Sequence, residues 1–195
     1  MIAIIEDPID CAIRTVFGHF SDEEEYRISQ MDALQFTRGE KAYEDVVKLA
    51  AAICGAPISL ISVIGRDTQT FKASSGLLIA STPRSDSFCA HTLNMRLPTD
   101  YLVVQDALLD PRFVNNALVK GSPFIRFYCG FPLRNNGVNI GAVCVIDTKP
   151  RTLTDAQLGA LSILRDHLSE WVSVQPQTAL QTWRGKLSGL FKNKP

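Results

Sequence analysis

The sequence predicts an α+β fold: an antiparallel sheet with helices on one face. Three observations carry this. First, the stretch 124–150, FIRFYCGFPLRNNGVNIGAVCVIDTKP, holds two apolar runs separated by Asn136-Gly137, a pair that tolerates positive φ at both centres of a type I′ turn. Second, further strand-like runs at 58–64, 69–74 and 102–104 follow one another by short connections, which favours antiparallel pairing. Third, helical periodicity sits toward both chain ends, where it can cover one face of that sheet.

Taken in order, residues 7–20 carry Ile9, Ile13, Val16 and Phe20 at helical spacing. Ser21 then reads as an N-cap, followed by the acidic turn Asp22-Glu23-Glu24-Glu25, a solvated helix start where negative charge suits the helix dipole. That helix carries Ile28, Met31 and Leu34. Another spans 40–54, with Tyr43, Val46, Val47, Ala50 and Ile53 on one face. Gly55 stands where a left-handed C′ residue belongs. The run 58–64 alternates Ile58, Leu60, Ser62 and Ile64 against Ser59, Ile61 and Val63, and the more polar 69–74 belongs nearer an edge.

Residues 75–86 lack periodicity and read as loop. Asp86 or Ser87 can cap a short helix over 88–94. A short strand follows at 102–104, a turn at 110–113, and a loop at 115–123. In the central hairpin neither strand alternates cleanly, so it is expected to be buried on both faces, and Pro150 ends it. Thr154-Asp155-Ala156-Gln157 resembles a capping box. It opens a helix to about Trp171 with Leu158, Leu161, Leu164, Arg165, Leu168 and Trp171 on one stripe. The expected organisation is a helical extension over 1–39, a core domain over 40–174 and a tail over 175–195.

Composition narrows the function. The 195 residues carry a formal net charge of zero, with 46% hydrophobic and 21% charged residues. Nothing in that balance points to a nucleic-acid partner. No window approaches the ~18 apolar residues of a membrane span, and the N-terminal apolar run is too short for a signal peptide. The five cysteines, Cys11, Cys54, Cys89, Cys129 and Cys144, have no framework spacing. They read as reduced thiols of a cytoplasmic protein. Only Cys89-Ala90-His91 brings Cys and His close, so no metal site is expected.

Several segments together resemble a GAF domain. They are Ala56-Pro57-Ile58-Ser59-Leu60-Ile61-Ser62-Val63, Gln69-Thr70-Phe71-Lys72, Thr82-Pro83-Arg84, Ser87-Phe88-Cys89-Ala90-His91, Asp106, Asp110-Pro111-Arg112-Phe113, Ile125-Arg126-Phe127-Tyr128 and Ile140-Gly141-Ala142-Val143-Cys144-Val145-Ile146-Asp147. The likeness is to the bacterial sensor type, found alone or within signalling proteins. It implies a PAS-like antiparallel sheet with helices on one face and a loop-covered pocket on the other. It also implies a non-enzymatic module that binds a small molecule and signals through terminal helices, as a homodimer.

The candidate ligand-binding residues are Phe71, Phe88, Cys89, His91, Asp106, Arg126, Tyr128 and Asp147, aromatic walls with a few polar groups. Each also has a structural reading, as core packing or, for Arg126 and Asp147, as an ion pair across the hairpin or a loop anchor. Alternation puts Arg126 and Tyr128 on the loop side and Ile125, Phe127, Cys129 and Phe131 toward the helices.

Other branches of the family offer alternatives. One reduces free methionine sulfoxide with cysteines, but its essential later cysteine has no counterpart here, since 106–123 contains none. Bilin-binding members use a Cys followed by His, which 115–123 lacks. Cyclic-nucleotide receptors share only the fragments Asn115-Asn116 and Phe124. No motif specifies a cofactor. A dimerisation scaffold without ligand stays beside these. If the chain is complete, its output is a partner or its own oligomer; if excised, the output was cut away.

Two more expectations are geometric. If Asn136 and Gly137 form a two-residue turn, Asn135 opposes Val138, Leu133 opposes Ile140, Phe131 opposes Ala142 and Cys129 opposes Cys144. Opposed Cα atoms lie about 4.5–5.5 Å apart, within the range of about 4.4–6.8 Å for a disulfide. Cys129 and Cys144 are therefore the redox candidates, reduced and buried in one reading and a reducible bond in the other. In the tail, Leu180, Trp183, Leu187, Leu190 and Phe191 share a stripe flanked by Arg184, Lys186, Lys192 and Lys194. This can be a basic amphipathic helix for a protein partner, another protomer or a peripheral contact with an anionic membrane, or simply dimer packing or a frayed end.

Overall fold

The computed structural model describes residues 20–34, 40–95 and 100–174. The expected helix at 7–20, except for Phe20, together with the thiol Cys11 and the tail stripe, lies outside these described residues. Among the described residues no helix is long and apolar enough to cross a membrane.

Two helices come first, α1 (Phe20–Asp32) and α2 (Lys41–Cys54). Gly55 takes the left-handed conformation at φ 56° that closes α2, its N–H returning to Ala52 O. Strands β1 (Ile58–Ile64), β2 (Thr68–Ser75) and β3 (Ser81–Pro83) follow, then 3₁₀ turns at Arg84–Asp86 and Cys89–Thr92. Next come β4 (Leu102–Val104), the short helix α3 (Ala117–Lys120), β5 (Phe127–Asn135), β6 (Val138–Asp147) and α4 (Asp155–Val174). The six strands form one antiparallel sheet in the order β3-β2-β1-β6-β5-β4. The central hairpin is buried almost throughout, as its unbroken apolar runs require. Ser87, one of the two expected caps, accepts the Ala90 N–H at 3.0 Å.

The two faces of the sheet pack against different layers. Ile61, Ala73, Phe127, Cys129, Phe131, Leu133, Ile140, Val143 and Val145 meet Tyr43, Val47 and Ala50 of α2 and Leu161, Leu168 and Val172 of α4. The reciprocal capping box opens α4: Thr154 N–H donates to Gln157 Oε1 at 3.0 Å, and Gln157 N–H returns to Thr154 Oγ1 at 3.3 Å. The opposite face, with Ile58, Leu60, Phe71, Tyr128, Ala142, Cys144 and Ile146, lies under the segment between β2 and β5.

Four local expectations are corrected. Residues 75–86 are not all loop, because Ser81–Pro83 pairs with β2 as an edge strand. The loop 115–123 contains α3, capped by Asn116, whose Oδ1 accepts the Leu118 N–H at 2.8 Å. β5 begins at Phe127 rather than at residue 124, since Phe124 sits at φ 62°, which no strand admits. Ile125 accordingly packs on the loop side and not toward the helices.

The acidic turn is not merely solvated. Glu24 accepts from Arg27 and Arg84 at 2.6 Å each, and Arg27 Nη1 donates to Ile64 O. Glu25 pairs with Arg66. These bonds tie α1 to the end of β1. The Arg27 and Arg84 hydrogen bonds lower the Glu24 carboxyl from 4.5 to about 2, against the opposing effect of burial. A carboxyl depressed on folding stabilises above its unfolded pKa and loses that contribution as pH falls through the folded value. The expected result is a loss of stability between pH 4.5 and 2 that Glu24→Gln flattens, at a cost of about 1 kcal/mol at neutral pH. Urea melts across that range check it.

The hairpin register also differs from expectation. Asn136 (φ 46°) and Gly137 (φ 81°) do form the tight turn, and Asn135 opposes Val138. A bulge then intervenes: Arg134 opposes Asn139 but Leu133 opposes Gly141, leaving Ile140 extra. Phe131 therefore faces Val143, Cys129 faces Val145, and Cys144 faces Gly130. The bulge lets Ile140 join Val143 and Val145 on the helix side, with Ile140 fully buried.

Candidate functional site

The site lies on the loop face. β1 and β6 lay Ile58, Leu60 and Ile146 on its floor, and β2 adds Gln69 and Phe71. Phe88 and Cys89 come from the turn after β3, while Leu77, Ile79, Leu118, Pro123 and Ile125 close the cavity from the covering segment. The cavity is open on one side and holds about 410 Å³ of empty space, its solvent-facing mouth included.

Side chains of the sheet hold the covering segment in place. Asn139, buried at the bulge, donates through Nδ2 to the carbonyls of Thr92 at 3.2 Å and Leu93 at 3.0 Å. Its Oδ1 accepts from Arg134 Nε at 3.0 Å. Asn116 Nδ2 donates to Asp86 O, joining α3 to the first 3₁₀ turn. Phe88 stacks on Phe113 at 4.0 Å and tilts against Tyr128 at 5.3 Å.

The polar content of the floor is concentrated at one end. Cys89 Sγ and Cys144 Sγ approach to 3.8 Å. Thr82 Oγ1 donates to Gln69 Oε1 at 3.3 Å. The hydroxyls of Ser62 and Tyr128 are fully buried and close no hydrogen bond. They nevertheless lie close enough to the Cys89 sulfur to favour its charged form. Cys144, Ser62, Tyr128 and Gln69 together lower the Cys89 thiol from 9.0 to about 7 against full burial. The hydrogen bond to Cys89 and burial raise the Cys144 thiol. Burial also raises the Tyr128 phenol, which stays a proton donor.

A buried hydroxyl without a partner costs about 1–3 kcal/mol. Below pH 7, where the Cys89 thiol is neutral, Tyr128→Phe is therefore expected to stabilise the ligand-free protein by about 1 kcal/mol in urea melts. A loss of that size would mean that the hydroxyl is already satisfied.

Of the sequence candidates, Phe71, Phe88, Cys89 and Tyr128 line the cavity. His91 stands outside the lining, edge-on to Phe113 at 4.7 Å; burial, with Arg112 nearby, lowers its pKa. Asp106 caps its own turn, accepting the Leu108 N–H. Arg126 donates to the carbonyls of Val119 and Ile125.

Of the two structural readings, Arg126 takes that of a loop anchor, and the ion pair with Asp147 does not form. Asp147 instead pairs with Arg151, which also donates to the carbonyls of Cys54 and Gly55 at the end of α2. Asp147 therefore does not face the loop side, because it shares the parity of Val145 on the helix side. The redox candidates separate too: Cys129 is in the helix-side core, where burial pushes its thiol up to about 12, and Cys144 is on the loop side beside Cys89. The sequence reading missed Ser62, Gln69, Thr82 and Asn139. Ser62 and Asn139 are polar residues within apolar strand runs, which was the available signal. Gln69 lies in a polar strand and Thr82 in a stretch read as loop, where a polar side chain does not stand out.

Helices on one face of a six-stranded antiparallel sheet and a small covered cavity on the other define a PAS-like α+β domain of the kind found in sensory proteins. The chain belongs to the GAF domain family, whose model matches residues 38–170. It is 41% identical over 135 residues to a cyclic di-GMP phosphodiesterase of Pseudomonas aeruginosa, covering 68% of this chain. The chain spans 22% of that relative's length.

Among solved structures it is similar to the GAF domain of a phosphoenolpyruvate-protein phosphotransferase from Coxiella burnetii. The TM-score is 0.56 at 13% identity, covering 76% of this chain and 89% of that one. It is also similar to a type II free methionine-R-sulfoxide reductase from Thermoplasma acidophilum, with a TM-score of 0.53 at 16% identity over 76% and 94% of the two chains. Both likenesses concern the fold. Among the described residues no group of three or more His, Cys, Asp or Glu could hold a metal ion.

Proposed function

We propose that the chain is a non-enzymatic sensory GAF module of a signalling protein, taking a small neutral molecule into the loop-side cavity. Signalling would pass through α1 and α4, with a second copy of the chain as the partner for its helices. The single observation that carries the ligand class is the lining: fourteen residues of which none is Lys, Arg, Asp or Glu. A phosphate-bearing ligand needs cationic or N–H donors to replace its hydration, and this lining has no cationic side chain. The polar groups present are Gln69, Thr82, Cys89 and Tyr128, enough to orient one or two polar atoms. The identity to a cyclic di-GMP phosphodiesterase supports a place in a larger signalling protein. It does not make the nucleotide this domain's ligand.

The test is native mass spectrometry of the protein as purified, followed by thermal shift with phenol, indole, cyclic GMP and cyclic di-GMP. Binding to the folded state raises its melting temperature by mass action. The expected result is a rise with the neutral compounds, abolished by Leu118→Trp, which fills the mouth. A rise with the nucleotides alone overturns the reading.

A further inference from the structure

We propose that Cys89 and Cys144 form a dithiol that reacts with a small hydroperoxide at the floor of the cavity. The two cysteines lie far apart in sequence, one in a 3₁₀ turn and one in the central strand β6, yet their sulfurs are 3.8 Å apart. Closing a bond of about 2.0 Å needs a movement of less than 2 Å. Both residues are nearly fully buried, and among the described residues the cavity lined by Cys89 gives access to its sulfur. A small hydroperoxide is neutral, as the uncharged lining of that cavity requires. The inference therefore rests on the cavity being a ligand site, and it narrows the ligand to a class.

The roles of the two thiols follow from their surroundings. Cys89 has Cys144, Ser62, Tyr128 and Gln69 about its sulfur, which hold its pKa down, so it is the attacking thiolate. Its sulfur attacks one peroxide oxygen, the O–O bond breaks, and the leaving oxygen departs as water after protonation. Tyr128, whose buried hydroxyl has no other partner, is placed to donate a hydrogen bond to that oxygen. Cys89 is then a sulfenic acid. The Cys144 sulfur, losing its proton, attacks it; the S–O bond breaks, an S–S bond forms and a second water leaves. Two thiols and one hydrogen peroxide become one disulfide and two waters, the thiols giving up two electrons to the peroxide. Cys129, on the other face, has neither the donors nor the access.

The bond has a structural consequence. It would tie the 3₁₀ turn Cys89–Thr92 covalently to β6, the strand from which Asn139 already holds that turn.

The experiment treats the folded protein with a small excess of hydrogen peroxide, then alkylates it in denaturant and maps the peptides. The expected result is the loss of two of the five thiols, with Cys89 linked to Cys144. Cys144→Ser should leave Cys89 as a sulfenic acid that dimedone captures, with no disulfide. Cys129→Ser should behave as the unaltered protein. Retention of five thiols by protein that near-ultraviolet circular dichroism shows to be folded overturns the proposal, as does a disulfide between any other pair. Because the unaltered protein carries the main readout, misfolding of a variant cannot decide the outcome. If phenol or indole still raises the melting temperature while no Cys89–Cys144 bond forms, the dithiol falls and the cavity reading stands; if neither occurs, both fall.

Discussion

Gly141→Ala is expected to destabilise the domain by at least about 3 kcal/mol, and in a protein of ordinary stability to prevent folding. A Cβ built on Gly141 would lie 1.9 Å from Ser62 O, 2.8 Å from Ser62 C and 2.9 Å from Val63 Cα. These are backbone atoms of β1, the central neighbour of β6, so no side-chain rotation relieves the overlap. Either β1 and β6 separate, losing ladder bonds in the middle of the sheet, or the bulge at Ile140 is undone. Undoing it would either move Ile140 off the helix-side core or flip every residue of β6 beyond it. Circular dichroism with chemical denaturation checks the outcome. A variant within about 1 kcal/mol of the parent would show that the sheet tolerates the separation.

Asp147→Ala is expected to cost about 2–3 kcal/mol, without a direct effect on what the cavity binds. The Asp147 side chain is only 5% exposed and its partner is Arg151, which reaches on to Cys54 O and Gly55 O. Asp147 Oδ1 also accepts the Lys149 N–H. The carboxylate thus fixes the turn after β6 and holds the guanidinium against the end of α2, where unsatisfied helix carbonyls gather. Removing it leaves Arg151 partly buried beside carbonyls alone. A double-mutant cycle with Arg151→Ala should return a coupling of about 1–2 kcal/mol, since the two residues share one network. Equal, additive losses would show that each acts by itself. Thermal shift with the cavity probes should move in parallel with the parent, displaced only by the lower starting stability.

The two variants separate two kinds of requirement. Gly141 is needed because two backbones approach too closely for any side chain. Asp147 is needed because a strand end and a helix end must meet across a charge. Neither requirement belongs to the cavity, whose own residues are floor and cover.

The periodicities of the sequence determined the elements. The strand 58–64, the strand 102–104, the helix begun at Lys41 and closed by Gly55, and the capping box at Thr154 are local matters, in which each residue's neighbours along the chain supply the physics. The type I′ turn was equally local, because Asn136 and Gly137 alone set its backbone. The side of the sheet that each β5 residue faces also followed from alternation, for Tyr128 as for Phe127 and Cys129.

What only the tertiary structure decided depends on contacts between distant segments. The bulge at Ile140 exists because the helix-side core rewards burying Ile140 with Val143 and Val145. Gly141 hinted at it, but an isolated strand glycine does not give the position or the direction of the slip. That one extra residue moved Cys144 from Cys129 to the other face, where it meets Cys89. Asp147 turned from a pocket candidate into a helix clamp for the same reason of parity, and because Arg151 and the carbonyls of Cys54 and Gly55 converge there. The cover of the cavity was the least legible part. Outside the strands at 81–83 and 102–104, its described residues carry little periodicity, and long-range bonds such as those from Asn139 and Asn116 help to place them, which no pattern along the chain announces.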